Sequence, residues 1–556
     1  MNSLSKAVLF LFSCISCFAF GAFLTNEKNK VSADEVHQAQ QLIGMDFTVA
    51  ETDSMLSLLD DQLKNYENMR KVELPNAVPL CYNFNPVPVG MNFDQSRKAF
   101  QSSDYSKTML PKDSNELIFY SIGQLAELIH SKKITSVQLT KFYLNRLKRF
   151  SPKLHCVITF TENLAMQQAK QADAEIAAGK YKGLLHGIPY GIKDMYATKK
   201  YRTTFGTPPF KDQVIDEDAT IVKKLQDAGA VLIAKLSLGE LAMDDVWFGG
   251  LTRNPWDTTK GSSGSSAGPA SAVSAGLVPF AIGSETWGSI VSPSTIFVVT
   301  GLRPSYGRVS RNGAMALCWT MDKVGPICRN TEDCAIVFNA IYGPDGKDQS
   351  LFDLPFNYSP KVDLNGMKIG YFKNDFELDT VNKPFNNAAI EQLKKMGAQL
   401  IPLQLPDLPV NDIAVLLFCE SASAFDELTF SNRDDLMVQQ HKYRWPNYFR
   451  AAHFIPATEY IRANRLRYLL IQQMNEVMKQ VDVCVAPSLV GDNLLVTNLT
   501  GHPSVVLPNG FIDPKTPTSI VFIGQLFGEA KMLAVAKAYQ DATGFQLKHP
   551  PFAFSN

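Results

Sequence analysis

Residues 260–294 read KGSSGSSAGPASAVSAGLVPFAIGSETWGSIVSPS. Ser and Gly crowd into two short loops, residues 261–268 and 283–289, with an apolar run between them. Pro269-Ala270-Ser271-Ala272-Val273 predicts a helix start, and residues 277–282 predict a short buried strand. One helix and one strand therefore join the loops, and a compact fold brings both over a single pocket. A flexible linker does not explain the stretch, because linkers are not interrupted by AVSAGLVPFAI. A phosphate loop needs Lys then Ser or Thr after its second Gly, and a dinucleotide loop needs a strand just before it; both are missing. Gly264-Ser265-Ser266-Ala267-Gly268 does match G-x-S-x-G, which makes Ser266 a rival nucleophile on a hydrolase elbow. The elbow requires a buried strand upstream, whereas residues 253–260 are RNPWDTTK, too polar and too Pro-broken.

What remains is a serine hydrolase whose base is not histidine. Leu185-His186-Gly187-Ile188-Pro189-Tyr190-Gly191-Ile192 leads into Lys193-Asp194, a lysine at the end of an apolar, Gly-punctuated strand. Charged ammonium groups avoid such places unless paired or neutral, and desolvation lowers their pKa enough to accept a proton. A surface lysine paired with Asp194 is the competing reading, and position alone leaves both open.

Further motifs bear on this choice. They are Gly187-Ile188-Pro189 with Ile192-Lys193-Asp194, Thr203-Thr204-Phe205-Gly206, Asp227-Ala228-Gly229-Ala230-Val231, and Lys235 with Glu240-Leu241-Ala242. Asn254-Pro255-Trp256, the serine loops and Gly301-Leu302-Arg303-Pro304-Ser305 follow, with a weaker echo at residues 498–503. In this order, over roughly residues 117–545, the chain resembles the amidase signature family of Ser-Ser-Lys hydrolases. The resemblance implies Ser289 as nucleophile, Ser265 as the bridging serine behind a cis peptide bond, and Lys193 as base. It implies an oxyanion site on the backbone N–H groups of Thr286, Trp287, Gly288 and Ser289. Gly264 and Ser266 are expected to support the site, and Leu241 and Trp319 to contact substrate. It also implies a three-layer α/β/α fold with a mixed central sheet. The chain departs from the family pattern at Trp287, where a small residue is usual, and at Ala267 and Ser263, where Gly is usual. Backbone donation survives these changes, so pocket size and substrate range are what they alter.

The 556 residues carry 54 basic and 54 acidic side chains, a formal net charge of zero. That balance gives no electrostatic case for nucleic acid, and the length suits a large buried core. None of the eight histidines lies in H-E-x-x-H or a Cys/His cluster, and no cofactor motif is present, so neither metal nor cofactor is expected. Residues 1–24 have Lys6, an apolar centre and a small-residue exit at Gly21, the pattern of a secretory signal and hence of an exported protein. An uncleaved membrane anchor over residues 7–24 is the alternative. A membrane partner is expected only if that segment is retained, and homo-oligomerisation is left open. Beyond the leader, seven scattered cysteines suggest no disulfide framework.

In chain order, residues 33–71 predict helix, with Thr48 and Glu51 as a capping box, and residues 76–114 an irregular strap. The expected division is 1–24 as signal or anchor, 33–115 as helical extension and strap, and 116–550 as catalytic domain. Within the last, short buried strands alternate with helices, which argues α/β layers. The expected activity is metal-independent hydrolysis of a small-molecule or peptide amide through an acyl-serine. Two alternatives are the glutamine-hydrolysing subunit of a tRNA-dependent amidotransferase and an inactive binding protein on the same scaffold.

Overall fold

The computed structural model describes residues 31–554; the predicted signal or anchor at residues 1–24 lies outside them. By backbone contacts the chain divides at Pro75/Asn76, so the strap expected over residues 76–114 belongs to the same compact unit as everything after it. Before the division stand two helices, Ala33–Leu42 and Val49–Met69. Each starts with a reciprocal cap, Ser32 with Glu35 and Thr48 with Glu51, in which each side chain satisfies the other residue's otherwise orphaned N–H. Among the described residues no helix is long and apolar enough to cross a membrane.

The strands of the second unit are β1 (Val157–Phe160), β2 (Pro189–Lys193), β3 (Val231–Leu236), β4 (Val246–Trp247), β5 (Gly250–Leu251) and β6 (Phe280–Glu285). They continue with β7 (Thr300–Arg303), β8 (Lys323–Cys328), β9 (Lys368–Phe372), β10 (Gln399–Leu403), β11 (Val483–Pro487), β12 (Ser504–Asp513) and β13 (Thr516–Gly524). Eleven of them form one sheet in the order β1-β3-β2-β6-β8-β7-β12-β13-β11-β9-β10, and β4 and β5 pair separately. The sheet is mixed: β2 runs parallel to β3 and β6, while β6, β8, β7, β12, β13 and β11 pair antiparallel in turn. Helices flank it to give the three-layer α/β/α fold.

Local chemistry explains the frame. The Ser121–Gln124 and Thr135–Gln138 capping boxes open helices Ile122–His130 and Ser136–Leu154. Helix Glu162–Ala177 starts without a side-chain cap: the Thr161 hydroxyl donates instead to the Leu232 carbonyl of β3 at 2.7 Å. β2, β3 and β6 are buried along their whole length, which is why they read as apolar runs without alternation. One difference matters for chemistry. The strand expected over residues 277–282 is Phe280–Glu285, so Ser284 and Glu285 belong to the end of a strand and not to a loop. Pairing with β8 from Ala281 to Glu285 provides the hydrogen bonds that a sequence reading cannot foresee.

Candidate active site

Lys193 closes β2 and is fully buried. Its Nζ donates to the hydroxyls of Ser265 at 2.8 Å, Ser284 at 2.9 Å and Ser266 at 3.4 Å. No carboxylate of the described residues forms an ion pair with it. Asp194 instead faces Lys235, 2.8 Å away with both side chains fully buried, and accepts from the N–H and hydroxyl of Thr204. Strand alternation sends successive side chains to opposite faces, so the adjacent acid serves β3 and leaves Lys193 among hydroxyls. Burial pulls the Lys193 pKa down to about 7, against the opposing charges of Asp322 and Glu285.

Ser266 fastens the two serine loops together. Its hydroxyl donates to the Ser284 carbonyl at 3.0 Å and accepts from the Ser284 N–H at 3.2 Å, while its N–H donates to the Ser289 carbonyl at 3.1 Å. This is a stapling role, and helix Ala267–Ser274 follows it without any elbow strand before it. The Gly264–Ser265 peptide bond is cis. A Cβ on Gly264 would sit 1.7 Å from the Asp244 carbonyl oxygen, so only glycine fits there.

Ser289 is nearly buried and follows Gly288, whose φ of +86° suits glycine. Among the described residues the N–H groups of Thr286, Trp287, Gly288 and Ser289 meet no acceptor, whereas those of Ile290 and Val291 donate to Glu285 at 2.8 and 2.9 Å. Glu285 anchors the turn: it also pairs with Arg303 at 2.8 Å and accepts from Asn498 Nδ2 at 2.8 Å. Burial pushes the Glu285 carboxyl up, but the Arg303 charge and these hydrogen bonds outweigh it and hold the group at about 2. Asp322 holds the start of the loop by accepting from the Thr286 hydroxyl and from the N–H groups of Leu317 and Cys318. The Trp287 side chain is 39% exposed and leaves the loop toward solvent.

A cavity of about 560 Å³ reaches this cluster through Ser284, Met195 and Asp322 and is roofed by strap residues including Leu80 and Tyr82. Ser265 and Ser289 are not part of its wall. Trp319 lines it, but Leu241 does not: that side chain is fully buried, and its carbonyl accepts from Trp445 Nε1 at 3.0 Å. The structure thus gathers Lys193, Ser265, Ser266 and Ser284 and holds the 286–289 loop beside them through the Ser266–Ser289 bond. Sequence reasoning missed Ser284, Glu285 and Asp322. Neither Ser284 nor Asp322 gave a signal: Ser284 meets Lys193 only through the pairing of β2 with β6, and Asp322 lies on a distant segment.

The remaining buried histidines serve structure. His186 bridges Glu175 at 3.0 Å and the Lys182 N–H at 3.1 Å, and His502 pairs with the Thr500 hydroxyl at 2.7 Å. The seven cysteines of the described residues are free thiols.

The family model described as Amidase matches residues 138–494. A glutamyl-tRNA(Gln) amidotransferase subunit of Coxiella burnetii is 32% identical over 488 residues, covering 77% of this chain and 99% of that protein. The peptide amidase of Stenotrophomonas maltophilia superposes with a TM-score of 0.71 at 28% identity, over 78% of this chain and 98% of that one. An amidase family protein of Bacillus anthracis gives the same TM-score at 29% identity, over 78% and 93%. This chain belongs to the amidase signature family, and it is an amidohydrolase-type enzyme.

Proposed function

We propose that the chain hydrolyses a carboxylic amide C–N bond through an acyl-Ser289 intermediate, with Ser265 and Lys193 as the proton relay. The observation that carries this reading is the 2.8 Å bond between a fully buried Lys193, with a pKa near 7, and the Ser265 hydroxyl. A neutral amine there accepts the Ser265 proton while Ser265 takes the proton of Ser289. The Ser289 oxygen adds to the amide carbon, and the carbonyl oxygen gains the negative charge. The free N–H groups of residues 286–289 are suited to stabilise that charge, each such donor typically contributing about 3 to 4 kcal/mol to the barrier. The protonated lysine then returns its proton through Ser265 to the departing nitrogen, and water repeats the sequence to release the acid.

Two versions of this chemistry compete. In one the chain is a free-standing amidase, a reading supported by the peptide amidase likeness and by the leader-like pattern of residues 1–24, which also suggests export. In the other it releases ammonia from glutamine as one component of an amidotransferase. The 32% identity to proteins of that name supports the second version more strongly than the structural likeness supports the first. Assaying ammonia release from glutamine beside peptide, aryl and fatty acid amides, with the chain purified alone, separates them. Glutamine as the sole substrate, or no turnover without an added partner, favours the amidotransferase version. Failure of a fluorophosphonate probe to label Ser289 would sink both and leave a binding protein.

A further inference from the structure

Two cavities of the second unit share a wall. The cavity that reaches Ser284 and a neighbour of about 390 Å³, bounded by Glu420, Asp426 and Tyr460, are both lined by Leu80, Tyr82 and Trp319. Leu80 and Tyr82 flank Cys81 at a bend of the irregular strap, and each borders both cavities. They precede residue 138, where the match to the family begins.

The first stretch of the strap, residues 76–84, is pinned at both ends. Asn76 donates to the carbonyls of Ala316 and Ala424 at 2.9 and 3.1 Å and accepts from the Ala316 N–H at 2.8 Å. Phe84 packs edge-on against Tyr306 with centroids 5.1 Å apart and lies under the Arg467 guanidinium at 3.5 Å. Between these anchors Tyr82 meets Tyr460, hydroxyl to hydroxyl at 3.2 Å, and Tyr460 donates to Glu420 at 3.1 Å. Trp319 is fixed from the other side, its carbonyl accepting from the Tyr306 hydroxyl at 2.9 Å. With the strap held at residues 76 and 84, Leu80 and the half-exposed Tyr82 stand as a partition between two open cavities.

We propose that Leu80, Tyr82 and Trp319 set substrate length by closing the far end of the pocket, so that compact amides are accepted and extended acyl chains or peptides are refused. The inference rests on the hydrolytic reading of the Lys193–Ser265–Ser289 cluster and adds to it a segment outside the matched region. With Leu80 and Tyr82 truncated, the two cavities become one groove long enough for an extended chain.

The test uses the full chain, a series of straight-chain acyl p-nitroanilides from acetyl to decanoyl, and peptide amides from one residue to a tetrapeptide. Wild type should lose kcat/KM as length grows in at least one series. The double variant Leu80→Ala/Tyr82→Ala should gain about tenfold or more on the longest member of that series, with the shortest changed by less than about threefold. Tyr82→Phe keeps the ring and loses only the bond to Tyr460, so it should retain the wild-type length profile. A double variant that still takes the fluorophosphonate label yet keeps the wild-type profile overturns the partition, as does a wild type that prefers the longest members. A wild type that neither labels nor turns over any amide defeats the hydrolytic reading instead. Calorimetric titration of the same variants with straight-chain alkanamides then reads the length limit without turnover, and an unchanged limit in the double variant refutes it.

Discussion

Lys193 and Ser284 meet Nζ to Oγ at 2.9 Å from the ends of adjacent parallel strands β2 and β6. Ser284 also donates to the Met195 sulfur, so its hydroxyl is fixed between a strand and the turn that follows Lys193. The lysine is thereby held toward Ser265 by a residue that does not itself lie in a serine-rich loop.

Removing that support should misplace the base without removing it. Ser284→Ala is expected to lower kcat by about tenfold or more while fluorophosphonate labelling of Ser289 slows in parallel. Steady-state kinetics showing a change in KM alone would argue that Ser284 contacts substrate instead.

Replacement of the proposed nucleophile is a stronger test. Ser289→Ala should cost at least about a thousandfold in kcat, as should Ser265→Ala, and the double variant should lose little more, because members of a relay fail as a unit. Additive losses in the double variant would show that the two hydroxyls do not share a proton path.

The base titrates where its environment puts it. With the Lys193 pKa near 7, the neutral, proton-accepting form grows as pH rises, so kcat/KM should climb about tenfold per unit below pH 7 and level off above it. Lys193→Ala should leave a residual rate without that inflection. A wild-type profile that falls between pH 6 and 8 contradicts a neutral lysine base.

Gly264 has no room for a side chain. Gly264→Ala forces a Cβ against the Asp244 carbonyl at 1.7 Å, and the backbone must shift. Loss of stability of about 1 to 3 kcal/mol and loss of labelling at Ser289 are expected, read by thermal unfolding and by the probe. Retention of full activity would mean that the loop is freer than its packing indicates.

The turn that carries Ser289 depends on a buried ion pair. Glu285→Gln keeps the shape but leaves Arg303 without its counter-charge, which should cost about 3 to 5 kcal/mol because breaking one side of such a pair strands the other. Since Glu285 is held at about 2 against an ordinary value of 4.5, its contribution is fully present above about pH 4.5 and is lost progressively as pH falls toward 2. Unfolding measured between pH 5 and 7 should therefore show no loss traceable to this carboxylate, and a decline traceable to it should set in below about pH 4.5.

Much of this was legible in the chain. The capping boxes at Ser121 and Thr135 are local hydrogen-bonding patterns, and β2 and β3 are apolar runs whose burial follows from composition, so spacing alone places them. Lys193 stands out because a lysine at the end of an apolar strand is chemically costly wherever it occurs, whereas Ser265 and Ser289 were picked out from the other loop serines only by the resemblance to the amidase signature family. The position of Lys193 still left two partners open, and only the fold chose. Asp194 goes to Lys235 because successive side chains of a strand face opposite ways, and the direction each face takes depends on which strands lie beside it. The same holds for Ser284, brought to Lys193 by β2–β6 pairing, for Asn498 on Glu285 across 213 residues, and for the strap over the cavity. These contacts join segments far apart in the chain, and the energy that selects them is burial and pairing of the whole sheet, which no short stretch of residues encodes.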